Sequence, residues 1–207
     1  MTEDDARSWI ALRHGPVGIT AMERIADLVA EENARQNLVA PSTLSMMWTR
    51  HLVDSAQLLQ FADADSAAGP WIDIGSGAGF PGLVIAALTR RTVYLVEPRR
   101  KRAAFLEEAA ERVGVADRVR VVAAPIQSLS GVVASVISAR AVAPLTDLFA
   151  WAAACSSIRT QWILPKGQSA REDVATACET WHGVFHVEHS VTDAKSLIVL
   201  ASKVARR

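Results

Sequence analysis

The stretch Trp71-Ile72-Asp73-Ile74-Gly75-Ser76-Gly77-Ala78-Gly79-Phe80-Pro81-Gly82 limits what this chain can become more than any other part of it. Its apolar start, ending in Asp73-Ile74, reads as a short buried strand. Glycines alternate through the turn that follows, and Pro81 then opens the apolar run Leu83 to Leu88. Proline suits the first helical position, where its missing N–H would have had no partner anyway. The order is strand, glycine turn, helix, and a turn without Cβ atoms lets a ligand approach the backbone closely.

Frame and charge select the ligand. A dinucleotide fingerprint fits only as Gly77-x-Gly79-x-x-Gly82, starting late relative to the strand, and Asp73 would set a like charge beside a pyrophosphate. A cationic ligand without phosphate suits the loop better. S-adenosylmethionine is such a ligand, with an ammonium and a sulfonium on its methionine end. A second strand, Val93-Tyr94-Leu95-Val96, ends in Glu97, near the spacing at which nucleotide-binding α/β folds place an acid that accepts both ribose hydroxyls. The glycines alone would also suit a ligand-free turn; with Asp73 and Glu97 they favour a bound cofactor. A nicotinamide-dependent oxidoreductase is the competing enzyme class, disfavoured by the same frame.

At 207 residues, half of them hydrophobic, the chain can build one domain with a good core. No apolar run approaches the roughly 20 residues of a membrane span. The acidic start Met1-Thr2-Glu3-Asp4-Asp5 lacks a signal peptide's layout, so a cytoplasmic protein is expected. Cys155 and Cys178 have no metal spacing, the histidines are scattered, and no metal site is expected. With 22 basic and 22 acidic residues, net charge makes no global case for nucleic acid. Locally the charge is uneven. Arg99-Arg100-Lys101-Arg102 opens a helix, where cations oppose the macrodipole. Such a run is either a solvated face or a docking site.

Residues 4–13 read as a short helix broken at Gly15-Pro16, and Thr20-Ala21-Met22-Glu23 as a capping box opening a second helix that ends near Asn37. A third helix is expected over Ser45 to Phe61, with Arg50, His51, Asp54 and Ser55 on adjacent turns. Residues 1–62 then form an N-terminal helical extension, joined through the loop 63–70 to a core over 70–207, all in a single domain. Further strands are expected at 119–123, 132–138 and 161–164, and helices at 103–114, 144–155 and 169–181. Val184 to Ser190 and Ser196 to Ser202 have no helix between them and should pair antiparallel. The alternation predicts an α/β fold with a doubly wound, mostly parallel seven-stranded sheet and one reversed edge strand.

Asn37-Leu38-Val39, Arg50 to Ser55, Asp73 to Gly82, Arg99 to Phe105, Ser138 to Leu145 and Lys166-Gly167 together resemble the bacterial small-subunit ribosomal RNA guanine-N7 methyltransferases, the glucose-inhibited division protein B family. The resemblance covers roughly residues 33 to 170, and Gly79-Phe80-Pro81-Gly82 and Ala139-Arg140-Ala141 are its specific parts. It implies a class I, Rossmann-like S-adenosylmethionine-dependent methyltransferase, acting on the N7 of a guanine in 16S ribosomal RNA. The partner would be that RNA, within the small subunit or an assembly intermediate, and the protein a monomer. It implies cofactor contacts at Gly75, Phe80, Ile126, Gln127 and Arg140, beside Asp73, Gly77 and Glu97. The family usually has Glu where Gln127 stands, and an amide still offers a donor and an acceptor to an adenine edge. Asp193-Ala194-Lys195 also replaces the family's frequent Gly-Glu-Arg tract.

The residue chemistry agrees with that resemblance. Guanine N7 has a free lone pair, so attack on a methyl carbon asks mainly for positioning. No Asn/Asp-Pro-Pro-aromatic tetrapeptide is present to hold an exocyclic amine, and no Pro-Cys pair to attack a pyrimidine. Arg140, after the fourth strand, is a candidate to hold guanine O6 or the methionine carboxylate, with a salt bridge to a nearby acid as the plainer reading. Lys166 is either a phosphate contact or a surface lysine. Arg50 and His51 are candidate RNA contacts, or polar residues closing over the glycine loop. The alternative function is an S-adenosylmethionine-binding regulator that meets RNA or protein without transfer.

Overall fold

A computed structural model describes residues 1–63 and 69–207, so the middle of the expected linker, 64–68, lies outside the described residues. Helix α1 (Glu3–Asn33) begins at a capping box: Thr2 Oγ1 accepts from the Asp5 amide, and Asp5 accepts from the Thr2 amide. At Gly15 the backbone leaves the helix with φ 63°, a left-handed value that costs glycine little. Pro16 then restarts it as a first helical residue. The expected break is therefore a kink, and the expected capping box at Thr20 is instead mid-helix. The helix stops at Asn33, short of Asn37, because Asn33 Oδ1 takes the amides of Leu38 and Val39 and turns the chain.

The third expected helix is not regular. A 3₁₀ turn (Pro41–Met46), a π-helical turn (Trp48–Val53), the single turn α2 (Asp54–Ala56) and a second 3₁₀ turn (Gln57–Phe61) follow one another. Glu3 fixes where the π turn starts, since its carboxylate accepts from the amides of Trp48 and Thr49 and from Thr49 Oγ1. The start of the chain thus sets the bearing of Arg50, His51 and Asp54.

The sheet alternates with helices in the order β1 (Trp71–Ile74), α3 (Gly82–Leu88), β2 (Val93–Val96), α4 (Arg100–Val113), β3 (Val119–Val122), β4 (Val136–Ala139), α5 (Leu145–Trp151), β5 (Gln161–Lys166), α6 (Ala170–Thr180), β6 (Trp181–His189) and β7 (Leu197–Arg206). Its strand order is β3-β2-β1-β4-β5-β7-β6. The first five strands are parallel, and β7 runs antiparallel to both neighbours. The reversed strand is therefore internal, and β6 is the edge. Burial explains the order: Leu197, Ile198 and Val199 are all buried, whereas most of β6 is exposed.

Strand β4 begins at Val136, later than the apolar run starting at Val132 suggested. Val136 pairs with Trp71, the first residue of β1, so the central strand sets the limit. Just before it, the Ala134 amide turns to the Cys155 carbonyl and the Ser135 amide to that of Pro70. The helical extension has no separate core among the described residues. Ile10, Met22, Ile25, Leu52 and Leu58 pack in one cluster with Leu83, Ile85 and Leu106, while α5 and α6 cover the other sheet face through Leu148, Phe149, Ala170 and Ala177, in one cluster with Trp162 of β5.

A methyl group at Gly82, where β1 faces α3, would stand 2.7 Å from Asp73 Cβ and collide with Leu95. Gly82→Ala is expected to lower stability by about 1–3 kcal/mol, the usual cost of overpacking, read as a reduced urea midpoint with an unchanged slope.

Candidate active site

Sequence places the site at the carboxyl ends of β1, β2 and β4, where parallel strands bind ligands. Asp73 is wholly buried beneath it. Its carboxylate accepts from Ser138 Oγ at 2.7 Å and from the Gly82 amide at 3.1 Å, and Trp71 Nε1 donates to the same Ser138 oxygen. Burial pushes the Asp73 carboxyl up to about 6, against the downward pull of these hydrogen bonds. Above it, Gly75, Gly77 and Gly79 all take positive φ, the geometry that favours glycine.

Glu97, just past β2, sits against this loop. One carboxylate oxygen accepts from the Gly77 amide and the other from the Arg99 amide, both at 2.9 Å. Each oxygen keeps a second lone pair, and Glu97 lines a cavity of about 350 Å³. Ile74, Gly75, Val96, Ile126, Gln127 and Val142 share its walls. An acid with spare acceptor capacity, apolar flanks and an amide at the rim fit a nucleoside. At Gly75 a Cβ would meet Val142 at 2.7 Å, so the wall closes only because Gly75 has none.

A second cavity of about 660 Å³ shares Ala141 and Val142 with the first. It gathers Arg50, His51, Asp54, Arg140 and Lys166, with Ser190 and Thr192 from the turn before β7. Arg140 makes the salt bridge that was its plainer reading, with Asp54. It donates to the Arg50 carbonyl at 3.1 Å and to Asp54 Oδ2 at 3.4 Å, meets His51 Nδ1 at 3.2 Å, and lies 5.3 Å from the Phe80 ring centre. A guanidinium has only donors, so His51 Nδ1 accepts, and Nε2–H donates to Thr43 Oγ1 at 2.9 Å. The imidazole stacks on Phe80 with ring centres 5.0 Å apart. Burial, with Arg140 and Arg50 adding to it, lowers the His51 pKa to about 3.

The two cavities gather most of the expected residues: Gly75, Glu97, Ile126 and Gln127 in one, Arg50, His51, Arg140 and Lys166 in the other. Asp73, Gly77 and Phe80 line neither. Asp73 supports the loop, the Gly77 amide holds Glu97, and Phe80 packs under His51 and Arg140. Arg50 is half-exposed, 3.6 Å from Asp193. Lys166 is neither loose nor exposed: it donates to the Ala143 carbonyl at 2.7 Å and pairs with Asp173 at 2.9 Å. Asp54 was passed over as a site residue. It also accepts from Gln57, Ser190 and Thr192, and its place between Arg50-His51 and Ser55 was the available signal.

The fold is that of the class I methyltransferases. A solved O-methyltransferase from Bacillus cereus in complex with SAH superposes with a TM-score of 0.59 at 15% identity, covering 89% of this chain and 91% of that one. A ribosomal protein L11 methylase from Lactobacillus delbrueckii subsp. bulgaricus gives 0.53 at 16%, over 74% and 78%. These likenesses concern the fold. The family model for rRNA small subunit methyltransferase G matches residues 18–197. A ribosomal RNA small subunit methyltransferase G from Rhizorhabdus wittichii is 44% identical over all of this chain and 95% of its own length, and one from Novosphingobium aromaticivorans is 42% identical over 99% and 90%. The chain belongs to the rRNA small subunit methyltransferase G family.

His51 should stay neutral throughout the working pH range, with flat ring-proton NMR shifts between pH 5 and 8. Because the unfolded ring takes a proton below about 6.5 and the folded ring only near 3, its contribution to stability is complete above 6.5 and fades as pH falls towards 3. A midpoint near 6.5 in the folded protein would contradict the Arg140–His51–Thr43 arrangement.

Proposed function

We propose that this protein transfers a methyl group from S-adenosylmethionine to the N7 of one guanine in 16S ribosomal RNA. It acts as a cytoplasmic monomer, on RNA in the small subunit or in an assembly intermediate. Family membership supports the ribosomal RNA substrate. The observation that carries N7 is the state of the bases in the larger cavity. His51 is neutral, with Nδ1 and Nε2 both engaged; Asp54 holds Arg140, Gln57, Ser190 and Thr192; Asp173 is paired with Lys166. None of these groups stands ready to remove a proton, and N7 needs none removed.

S-adenosylmethionine supplies the electrophilic methyl group. Glu97 accepts the ribose hydroxyls, Ile126 and Gln127 hold the adenine, and Gly75 gives the backbone approach. Arg140 orients the guanine, presenting one edge of its planar fork while His51, Asp54 and the Arg50 carbonyl fix the others. Catalysis here is alignment of a lone pair with a methyl carbon, in which a misplacement of about 1 Å costs about a hundredfold. A regulator without transfer would need no second cavity sharing the Ala141–Val142 wall. Nucleoside mass spectrometry of 16S ribosomal RNA from cells with and without the gene tests the proposal. Loss of one 7-methylguanosine is expected, and an unchanged profile would overturn it.

Glu97→Gln places an amide N–H against the Gly77 or Arg99 amide and weakens the ribose contact. S-adenosylhomocysteine binding should fall at least about tenfold by calorimetry, about 1.4 kcal/mol. Arg140→Lys keeps the charge but cannot span three partners. Single-turnover methylation should fall by about a hundredfold, with cofactor affinity changed much less. A wild-type rate in Arg140→Lys would reduce Arg140 to a point charge.

A further inference from the structure

The basic run at the start of α4 is not absorbed by the function described so far. Arg99, Arg100, Lys101 and Arg102 line a groove of about 400 Å³ with Gln36 and Asn37. Arg99 and Arg102 also line the Glu97 cavity, so the groove abuts the cofactor site, which in turn abuts the cavity holding Arg140. Groove and Arg140 cavity share no lining residue, and the cofactor cavity shares walls with both. The floor is fixed by Arg102 donating to the Asn37 carbonyl at 3.0 Å and Gln36 Nε2 to the Lys101 carbonyl at 3.2 Å.

Three considerations say what these cations are for. First, none of the four pairs with a carboxylate among the described residues, although the same α1–α4 face pairs its other arginines. Arg112 meets Glu31 and Glu108, and Arg35 meets Glu31 and Glu32. Second, they do not serve the helix. Arg100 and Lys101 stand in its first turn, which has no acid, and positive charge there opposes the dipole. Third, Arg100 and Lys101 do not serve the cofactor, because only Arg99 and Arg102 of the run line its cavity. In a chain of zero net charge, a largely exposed cluster without carboxylate partners among the described residues, placed where the helix disfavours it, fits a polyanion.

We propose that this groove docks the phosphate backbone of the RNA substrate beside the target nucleotide, so that the strand crosses the cofactor cavity between groove and guanine site. The proposal rests on the RNA-methylating reading and names the face that meets the strand. The test is the double variant Arg100→Glu/Lys101→Glu, which leaves Arg99 and Arg102 in place. Binding to a 16S ribosomal RNA transcript is measured over a range of salt. The slope of log affinity against log salt should become shallower by about 1.4–1.8, at about 0.7–0.9 for each phosphate no longer neutralised. S-adenosylhomocysteine affinity should hold, and the melting temperature should hold or rise, because acids suit a helix start. A merely structural role predicts the reverse in stability. Arg100→Gln/Lys101→Gln removes the same cations without reversing charge and should show a slope change in the same direction. Wild-type slopes in both variants, or no RNA binding by the wild-type protein, would overturn the groove. Methylation is scored separately: RNA binding that depends on the groove without any methyl transfer would uphold the groove and sink the catalytic reading.

Discussion

A carboxylate with no access to solvent holds the centre of this molecule together. Asp73 joins the end of β1 to Ser138 on β4 and to the amide of Gly82 at the start of α3, and the glycine loop is the chain between those anchors. Its burial is costly. The native group takes a proton near 6 where the unfolded one waits until about 3.8, so the native state binds more protons between those values. Asp73 therefore adds stability below about 3.8 that is lost as pH rises through 6. At neutral pH the ionised group opposes folding and is matched by its two donors only in part. What it secures is the loop, whose Gly77 amide holds Glu97 at the wall of the cofactor cavity.

A second dependency runs from the other end of the chain. Glu3 pins the π turn that carries Arg50 and His51, and Asp54 follows on the next turn. Asp54 gathers Arg140 from the end of β4, and Ser190 and Thr192 from the turn between β6 and β7. Three segments distant in sequence meet at one carboxylate, and Arg140 takes its direction from them. The helical extension thus supplies the partners that fix the Arg140 guanidinium, which the proposed function turns toward the substrate.

What the sequence made legible follows from how local each signal is. The glycine loop, Glu97 and the αL stop at Gly114 depend on neighbours within a few residues, and they stand where they were expected. The start of β4 depends on the partner strand, so the apolar run from Val132 overstated it. The placing of β7 inside the sheet depends on strand order, which periodicity does not encode. Its unbroken apolar run, Leu197 to Ala201, set against the polar histidines of β6, was nonetheless a usable sign of an interior strand. The capping box at Thr20 failed because Pro16 had already started the helix. Which acid pairs with Arg140 was not legible, because its partners, His51 and Asp54, lie some ninety positions away, a coupling that no window of sequence displays.

Charge is partitioned between the two sides of the cofactor site. In the Arg140 cavity each cation is tied: Arg140 to Asp54, Lys166 to Asp173, Arg50 to Asp193. Such tied groups offer direction rather than net field, which suits the proposed alignment of a single base. In the groove at α4 the cations are bare of carboxylates among the described residues, and bare charge attracts any phosphate backbone regardless of sequence. On the proposed docking, the molecule separates holding the strand from recognising the base. With zero net charge overall, the proposed docking draws an RNA chain along the groove, whose walls adjoin the Glu97 cavity and through it the cavity where the guanine would be aligned.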